Sequence, residues 1–218
     1  MSGHTFNPTL LRKYDIRGVF GDTLSLDDAV ALGRTYGSII IENGGKFVCL
    51  GRDGRLSSPD IMVALASGFM STGISVVDIG LSATPMLYYA SRMLDAPGAI
   101  MITGSHNPPN YNGFKLVLAN RPFWADQIQQ LGERSASGDW VDGQGEKLEL
   151  DILNAYVSRI CSDYRSKREL KVVWDVGNSS VGPAVVEMVR RLPGQHIVLN
   201  ETVDGTFPAH HPDPTVPE

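Results

Sequence analysis

The sequence predicts an α/β fold in which a layered sheet carries helices on both faces. Short apolar runs alternate with longer segments whose apolar residues recur every three or four positions, which is typical of strands followed by helices. The apolar runs are continuous, as expected for strands covered on both sides. The 218 residues include 23 glycines and 13 prolines, so many tight connections are expected between the elements.

The elements follow one another in a regular order. The apolar runs that predict strands are residues 47–50, 75–79, 99–102, 114–118, 172–176 and 197–199. The periodic segments that predict helices are residues 25–42, 58–73, 84–94, 148–165 and 181–192. Ser25 is a candidate N-cap, and Ser58 is a second one that is followed by Pro59 in the first helical position.

We predict two domains. Residues 1–150 hold most of the alternating pattern, although residues 121–147 are polar and contain closely spaced glycines. Residues 151–218 hold a linker helix and the start of a second α/β unit. Since that unit has only two predicted strands, it cannot bury both faces of its sheet, and we expect it to be incomplete.

Composition excludes several classes of protein. A charged fraction of 20% and an apolar fraction of 42% exclude a disordered chain. The net charge of −5 gives no reason to expect a nucleic acid partner. We expect no membrane association and a cytoplasmic location, because the sequence has neither a spanning apolar stretch nor a secretory leader. Cys49 and Cys161 are expected to be small core residues, since no C-x-x-C motif occurs.

The stretch from Thr103 to Lys115 carries the strongest chemical signal. It directly follows an apolar strand, where α/β proteins place their ligand loops. Gly104 lets the backbone bend before Ser105, and Asn112-Gly113 predicts a tight turn after it. A serine held near a lysine can act as a nucleophile or carry a phosphoryl group.

Two other interpretations of this loop stay open at this point. The loop is equally well explained as a connection whose Ser105 and His106 only cap backbone groups. The adjacent Ser105-His106 pair also raises the possibility of a serine hydrolase, but no G-x-S-x-G elbow is present. A G-x-x-x-x-G-K-[ST] phosphate loop is absent as well.

Four segments in the right order resemble the α-D-phosphohexomutase family of the phosphomannomutase/phosphoglucomutase type. Thr103-Gly104-Ser105-His106-Asn107-Pro108 is similar to the family's phosphoserine loop, in which alanine is commoner than Gly104; we expect that small difference to leave the serine in place. The other three segments are Lys13 to Gly18, Gly51 to Arg55 with Ser58, and Asp204 to Pro208 with His211-Pro212-Asp213-Pro214.

The resemblance implies phosphohexomutase domain I followed by an incomplete domain II. It implies a resting enzyme phosphorylated on Ser105, which passes the phosphoryl group to a hexose phosphate and recovers it from a hexose 1,6-bisphosphate. The catalytic residues would be Ser105, Lys115 and His106, and the substrate-binding residues would be Tyr14, Arg17 and Asn107. Arg52 and Arg55 are expected to be structural or to contact another domain.

The resemblance also implies a Mg²⁺ cofactor, with the Ser105 phosphate as one ligand and aspartates as the others. The family's metal loop, Asp-Gly-Asp-x-Asp-Arg, does not occur in this sequence. We therefore expect the chain to be an N-terminal fragment, inactive in isolation, of an enzyme that acts on mannose or glucose phosphates. The alternative is a non-catalytic module that binds phosphosugars in a regulatory role.

Overall fold

The strands form two separate sheets. The computed structural model describes residues 2–166, 168–213 and 215. The strands are β1 (Ile16–Val19), β2 (Phe47–Arg52), β3 (Ser75–Leu81), β4 (Gly98–Ile102), β5 (Tyr111–Leu118), β6 (Arg121–Pro122), β7 (Lys147–Glu149), β8 (Leu170–Asp175) and β9 (Gly194–Leu199). The helices are α1 (Leu26–Glu42), α2 (Ser58–Met70), α3 (Thr84–Met93), α4 (Asp126–Ser137), α5 (Leu153–Ser162) and α6 (Gly182–Val189).

The larger sheet is mixed. Its order is β1-β5-β4-β2-β3-β7, with β6 paired to β5. Strands β4, β2, β3 and β7 run parallel, whereas β5 is antiparallel to both β4 and β1. The carboxyl ends of β2 and β4 therefore meet the start of β5 at one edge, and the loop that contains Ser105 lies there.

Helices cover both faces of this sheet, which confirms the predicted fold class. On one face, α1, α2 and α4 share a core with Val48 and Leu50 of β2. On the other face, α3, α5 and α6 pack against a core that includes Cys49, the residue between those two. Alternate residues of one strand thus enter opposite cores, as the two-residue period of a strand requires. Cys49 is buried as expected, and burial raises the pKa of its thiol to about 12.

Several predicted boundaries are wrong. Ser58 is the first residue of α2 rather than its N-cap, and the N-cap is Ser57. Asn112 and Gly113 form no turn, because both lie inside β5 and pair with β1. The helix predicted over residues 148–165 starts later, since Lys147–Glu149 pairs with β3.

Sequence reasoning missed the two-residue β6, the three-residue β7 and two longer elements, β1 and α4. Strand β1 has only four residues, too few to give a clear period. Helix α4 buries three side chains, Ile128, Leu131 and Ser135, and its remaining positions are polar enough to resemble a loop. Both elements are formed through tertiary packing, because neither has a strong local signal.

The second unit is a small parallel pair, β8 with β9. Three apolar side chains of this pair are exposed, those of Val173, Ile197 and Leu199. One face of the β8–β9 pair is therefore largely uncovered within the described chain. Helices α5 and α6 cover the other side and contact each other, and α5 also contacts α3. The division of the chain at residue 150 stays a prediction. None of the described helices is long and apolar enough to span a bilayer.

Candidate active site

Ser105 lies at the carboxyl end of β4 with a left-handed backbone. Its φ angle is 56°, a conformation that costs a non-glycine residue roughly 1–3 kcal/mol and persists only where its surroundings impose it. The Ser105 amide donates to Thr103 Oγ1 at 2.9 Å. Asn107 Nδ2 donates to the Gly104 carbonyl at 2.8 Å. These bonds give the serine a defined backbone geometry.

The loop is tied to the connection between β2 and α2. Asp53 accepts from the Gly104 amide at 3.2 Å through Oδ2 and from Ser58 Oγ at 2.6 Å through Oδ1. Asn112 Nδ2 donates to Ser57 Oγ and to Ser58 Oγ, each at 2.9 Å. The predicted roles of Ser58 and Asn112 were local, but the structure uses both to join the two segments beneath the loop.

Arg55 lies fully buried under the same loop. Its Nε donates to Asp53 Oδ2 at 3.1 Å. Desolvation lowers the pKa of the Arg55 guanidinium, and the Asp53 carboxylate opposes that effect. A Cβ atom added to Gly104 would lie 2.3 Å from Arg55 Cζ. An alanine at position 104 therefore requires the Arg55 guanidinium to move.

Arg17 and Lys115 come together on a carboxylate that sequence reasoning missed. Asp15 accepts from Arg17 Nη2, and Lys115 Nζ lies 3.8 Å from the same Asp15 oxygen. Arg17 Nε is buried with no hydrogen-bond partner in the described chain. In the described ranges the ion pair of Lys115 is with Asp15, and no hydrogen bond joins Lys115 to Ser105. Asp15 and Arg17 are two residues apart, so an extended backbone puts both on one side, but a segment this short gives no clear period from which to predict it.

His106 and Tyr14 take different positions. His106 Nδ1 lies 3.4 Å from Ser105 Oγ, and the His106 ring is exposed. Tyr14 is 67% exposed and stacks on Trp124, with ring centroids 5.9 Å apart. No described contact joins Tyr14 to Ser105, so its predicted role in substrate binding stays a prediction.

Ser105 lines a cavity of about 240 Å³ whose far wall belongs to the second unit. Thr103 lies on the same side as Ser105, and Asp175, Phe207 and His210 lie opposite. Asp175 lies at the carboxyl end of a parallel strand, which is where ligand-binding residues were expected, as for Ser105. The hydrogen bonds and neighbours of Asp175 could not be predicted from the sequence. Hydrogen bonds from Asn200 Nδ2 and from the Gly177 amide lower the pKa of Asp175. Its Oδ2 lies 3.2 Å from His210 Nε2.

Pro212, near the end of the described chain, also lines this cavity. Hydrogen bonds from the Thr215 amide and hydroxyl lower the pKa of Asp213, and the charge of His106 contributes in the same direction. Of the predicted segment His211 to Pro214, the last residue lies outside the described residues.

The described residues do not by themselves form a Mg²⁺ site. Within residues 2–166, 168–213 and 215, no group of three or more His, Cys, Asp or Glu side chains is placed to hold a metal ion. Asp53, the carboxylate bonded to the Ser105 loop, is already engaged by Ser58, Arg55 and the Gly104 amide. Ser105 as a metal ligand therefore stays a prediction.

Comparison with known proteins agrees with the resemblance. Residues 8–141 match the family "Phosphoglucomutase/phosphomannomutase, alpha/beta/alpha domain I". The chain is 43% identical over 214 residues to a phosphomannomutase/phosphoglucomutase of Pseudomonas aeruginosa, covering 98% of this chain and 46% of that protein. It is 40% identical over 211 residues to a phosphoglucomutase of Neisseria meningitidis, covering 96% of this chain and 46% of that protein.

A solved structure extends the agreement to three dimensions. A phosphoglucomutase/phosphomannomutase family protein from Burkholderia thailandensis superposes with a TM-score of 0.92 at 40% identity, covering 97% of this chain and 48% of that one. The chain thus spans about half the length of the relatives it matches. The family match, the two relatives and the superposition show that the chain belongs to the phosphoglucomutase/phosphomannomutase family.

Proposed function

We propose that the protein interconverts hexose 6-phosphates and hexose 1-phosphates through a phosphoserine at Ser105. The observation that carries the proposal is the left-handed Ser105, bonded to Thr103 and lining a cavity walled by both units. A serine used only in a turn needs neither a cavity nor a second wall. The names of the similar proteins, phosphomannomutase/phosphoglucomutase and phosphoglucomutase, support hexose phosphates as substrates, with glucose and mannose as the sugars.

The reaction requires two transfers. First, the bond between phosphorus and Ser105 Oγ breaks while a bond to a free hydroxyl oxygen of the hexose phosphate forms, and the proton of that hydroxyl ends on Ser105 Oγ. In the second transfer the other phosphate–sugar bond of the hexose 1,6-bisphosphate breaks, its phosphoryl group returns to Ser105 Oγ, and the Ser105 proton ends on the released sugar oxygen. Both steps place negative charge on the equatorial oxygens, so the cations nearby are as important as the nucleophile.

We assign the remaining roles from this chemistry. Arg17 and Lys115 stabilise phosphate oxygens, since both converge on Asp15 and retain donors that this carboxylate does not use. His106 belongs to the catalytic centre beside Ser105 Oγ. Asn107 keeps its amide oxygen available for the sugar because its Nδ2 is bonded to Gly104. Tyr14 offers an exposed ring to the substrate.

We include Mg²⁺ in the proposal, with the Ser105 phosphate as one ligand and aspartates outside the described site as the others. Such an ion takes carboxylate and phosphate oxygens and neutralises charge on the transferred group. We further propose that residues 1–150 form domain I, that residues 151–218 begin domain II, and that the enzyme works in the cytoplasm without a nucleic acid or membrane partner.

Mass spectrometry of protein purified from its own cells tests the proposal directly. We expect phosphate on Ser105, and a protein without it would contradict the carrier role. Ser105→Ala should abolish interconversion of glucose 1-phosphate and glucose 6-phosphate while leaving the fold intact, and near wild-type turnover would also refute the role.

Two other functions give different results. A non-catalytic phosphosugar-binding module would bind glucose 6-phosphate in calorimetry equally well in the wild type and in Ser105→Ala, without turnover in either. A serine hydrolase would be labelled at Ser105 by a fluorophosphonate, which we do not expect because no G-x-S-x-G elbow surrounds it.

A further inference from the structure

Arg55 uses every donor of its side chain. A guanidinium with its Nε has five N–H groups, and each has an acceptor here. Nε donates to Asp53, Nη2 donates to the Ser105 carbonyl at 2.9 Å and to the Asn107 carbonyl at 2.7 Å, and Nη1 donates to the Tyr111 carbonyl at 3.1 Å. The fifth acceptor is the Pro108 carbonyl. One fully buried side chain therefore holds four carbonyl groups of a seven-residue stretch.

These bonds determine which way the loop presents its dipoles. Arg55 is not among the described residues that line the cavity, whereas Ser105 is. The four carbonyl oxygens point at the guanidinium, so their negative ends are directed to Arg55. A phosphorylated Ser105 carries about two negative charges, and carbonyl oxygens beside it would repel them. Arg55 thus holds the loop with its carbonyl oxygens directed at the guanidinium, where they do not repel a phosphate on Ser105.

The conformation of Ser105 depends on the same contact. Its φ of 56° is unfavourable for serine, and the Arg55 bond to the Ser105 carbonyl lies on the peptide that follows it. Gly104 provides the space, because a Cβ atom there would approach Arg55 Cζ to 2.3 Å and Nε to 2.4 Å. The glycine, the serine conformation and the guanidinium position are therefore interdependent.

The second unit packs on the same arginine. The ring of Phe207 lies over the guanidinium, with Cζ 5.1 Å from the ring centroid. A Cβ atom on Gly205 would lie 2.5 Å from the Gly54 carbonyl oxygen and 2.8 Å from Arg55 Cα. This close approach joins the segment around Phe207 to the start of α2. Arg55 thus contacts both the Ser105 loop and Phe207, which belong to the two walls of the cavity.

We propose that Arg55 is a positioning residue that fixes the Ser105 loop for phosphoryl transfer and, through Phe207, holds that loop in register with the second unit. The proposal rests on the proposed function of Ser105. Arg55 touches neither substrate nor phosphate, and acts only through the backbone of the loop.

The test is Arg55→Lys in the protein as its own gene encodes it. Lysine keeps the charge but has three donors on one nitrogen, so it cannot hold five acceptors spread across a plane. The informative readout is the single-turnover rate of phosphoryl transfer from Ser105 to glucose 1-phosphate, normalised to the phosphorylated fraction measured by mass spectrometry. We expect a fall on the order of 100-fold, as for a displacement of about 1 Å, with KM nearly unchanged.

Arg52→Lys is the matched control. It makes the same change three residues away, where Arg52 has one 3.4 Å contact with the Asp53 carbonyl, and we expect a wild-type transfer rate. A purely structural role for Arg55 predicts a lower Tm in Arg55→Lys with an unchanged transfer rate per phosphorylated site, and that result overturns the proposal.

If Arg55→Lys does not fold, Gly104→Val is the second variant. It keeps the arginine and places two methyl groups beyond a Cβ position that already lies 2.3 Å from Arg55 Cζ, so we expect a slower transfer at unchanged KM, and a wild-type rate overturns the proposal. Ser105→Ala distinguishes failure of the proposed function from failure of the role proposed for Arg55. Activity in Ser105→Ala refutes the proposed function, whereas an inactive Ser105→Ala beside a wild-type transfer rate in Arg55→Lys refutes only the role of Arg55.

Discussion

Two cationic groups flank the Ser105 loop, and they differ in how many of their donors are used. Arg55 is buried and gives all five donors to oxygen atoms of the protein. Arg17 and Lys115 share a single carboxylate, Asp15, and Arg17 Nε has no partner in the described chain. A saturated cation can only shape its surroundings, whereas a cation with donors to spare can bind a ligand.

The largest expected effect is on stability, from Arg55→Met. It removes five hydrogen bonds and leaves the Asp53 carboxylate half-buried without its cation, which costs about 3–5 kcal/mol where one partner of a buried pair is lost. Urea unfolding measures this loss. Arg17→Met is the matched comparison, and an equal loss in the two variants would remove the distinction between the groups.

The next effect is on activity, from Arg17→Gln. Removing one preorganised donor that faces developing charge costs on the order of 10²–10³ in turnover. We expect steady-state kcat for glucose 1-phosphate to fall by that factor. The free energy of unfolding should fall by less than in Arg55→Met, because Asp15 keeps Lys115 as a second cation. A variant that loses stability but keeps kcat would contradict the role of Arg17 in binding phosphate oxygens.

A smaller difference between Arg55 and the Arg17–Lys115 pair is expected in how each responds to ionic strength. Lys115 has a side chain that is 29% exposed, so salt screens its attraction for phosphate, while the buried Arg55 is shielded from salt. Raising salt from about 0.05 M to about 0.5 M should raise the KM for glucose 1-phosphate severalfold. The Tm difference between the wild type and Arg55→Met should stay constant. A salt-dependent difference would mean that the Arg55 contacts open to solvent.

The smallest effect concerns the opposite wall of the cavity. Hydrogen bonds lower the folded-state pKa of Asp175, so its contribution to stability is present above the unfolded pKa near 4 and is lost as pH falls through the folded value. Asp175→Asn should therefore flatten the decline of Tm in acid by a small amount. Asp22→Asn, in an exposed turn, is the control, and an equal flattening there would contradict the assignment.

The sequence predicted the elements that have strong local signals. Helix α1 begins after Ser25 with a capping box completed by Asp28, and β2, β3 and β4 lie within a few residues of their predicted positions. Helix α4 and strand β1 escaped because packing rather than local pattern forms them. Asn112-Gly113 was wrongly predicted as a turn, because a dipeptide typical of hairpins can also lie in a strand that needs close approach. A Cβ on Gly113 would lie 2.1 Å from the Ile16 carbonyl oxygen.

The candidate site was predicted less completely. A motif identified Ser105, His106, Asn107 and Lys115, but no local pattern shows that Asp15 joins Arg17 to Lys115 or that Asp175 faces Ser105. Arg55 was expected to be structural or to contact another domain, and its contacts with the loop and with Phe207 fit both descriptions. Its particular partners are carbonyl groups fifty residues away, which a sequence motif cannot reveal.

The way in which Arg55 binds the loop also has a consequence for mutational tolerance. Its acceptors at Ser105, Asn107, Pro108 and Tyr111 are backbone oxygens, and these remain whatever side chain each residue carries. The exposed side chains of this stretch can therefore be exchanged for others while the Arg55 contacts with its backbone are retained. A library randomised at the exposed His106 and Asn110 should accordingly yield many folded variants, whereas one randomised at Arg55 should yield few.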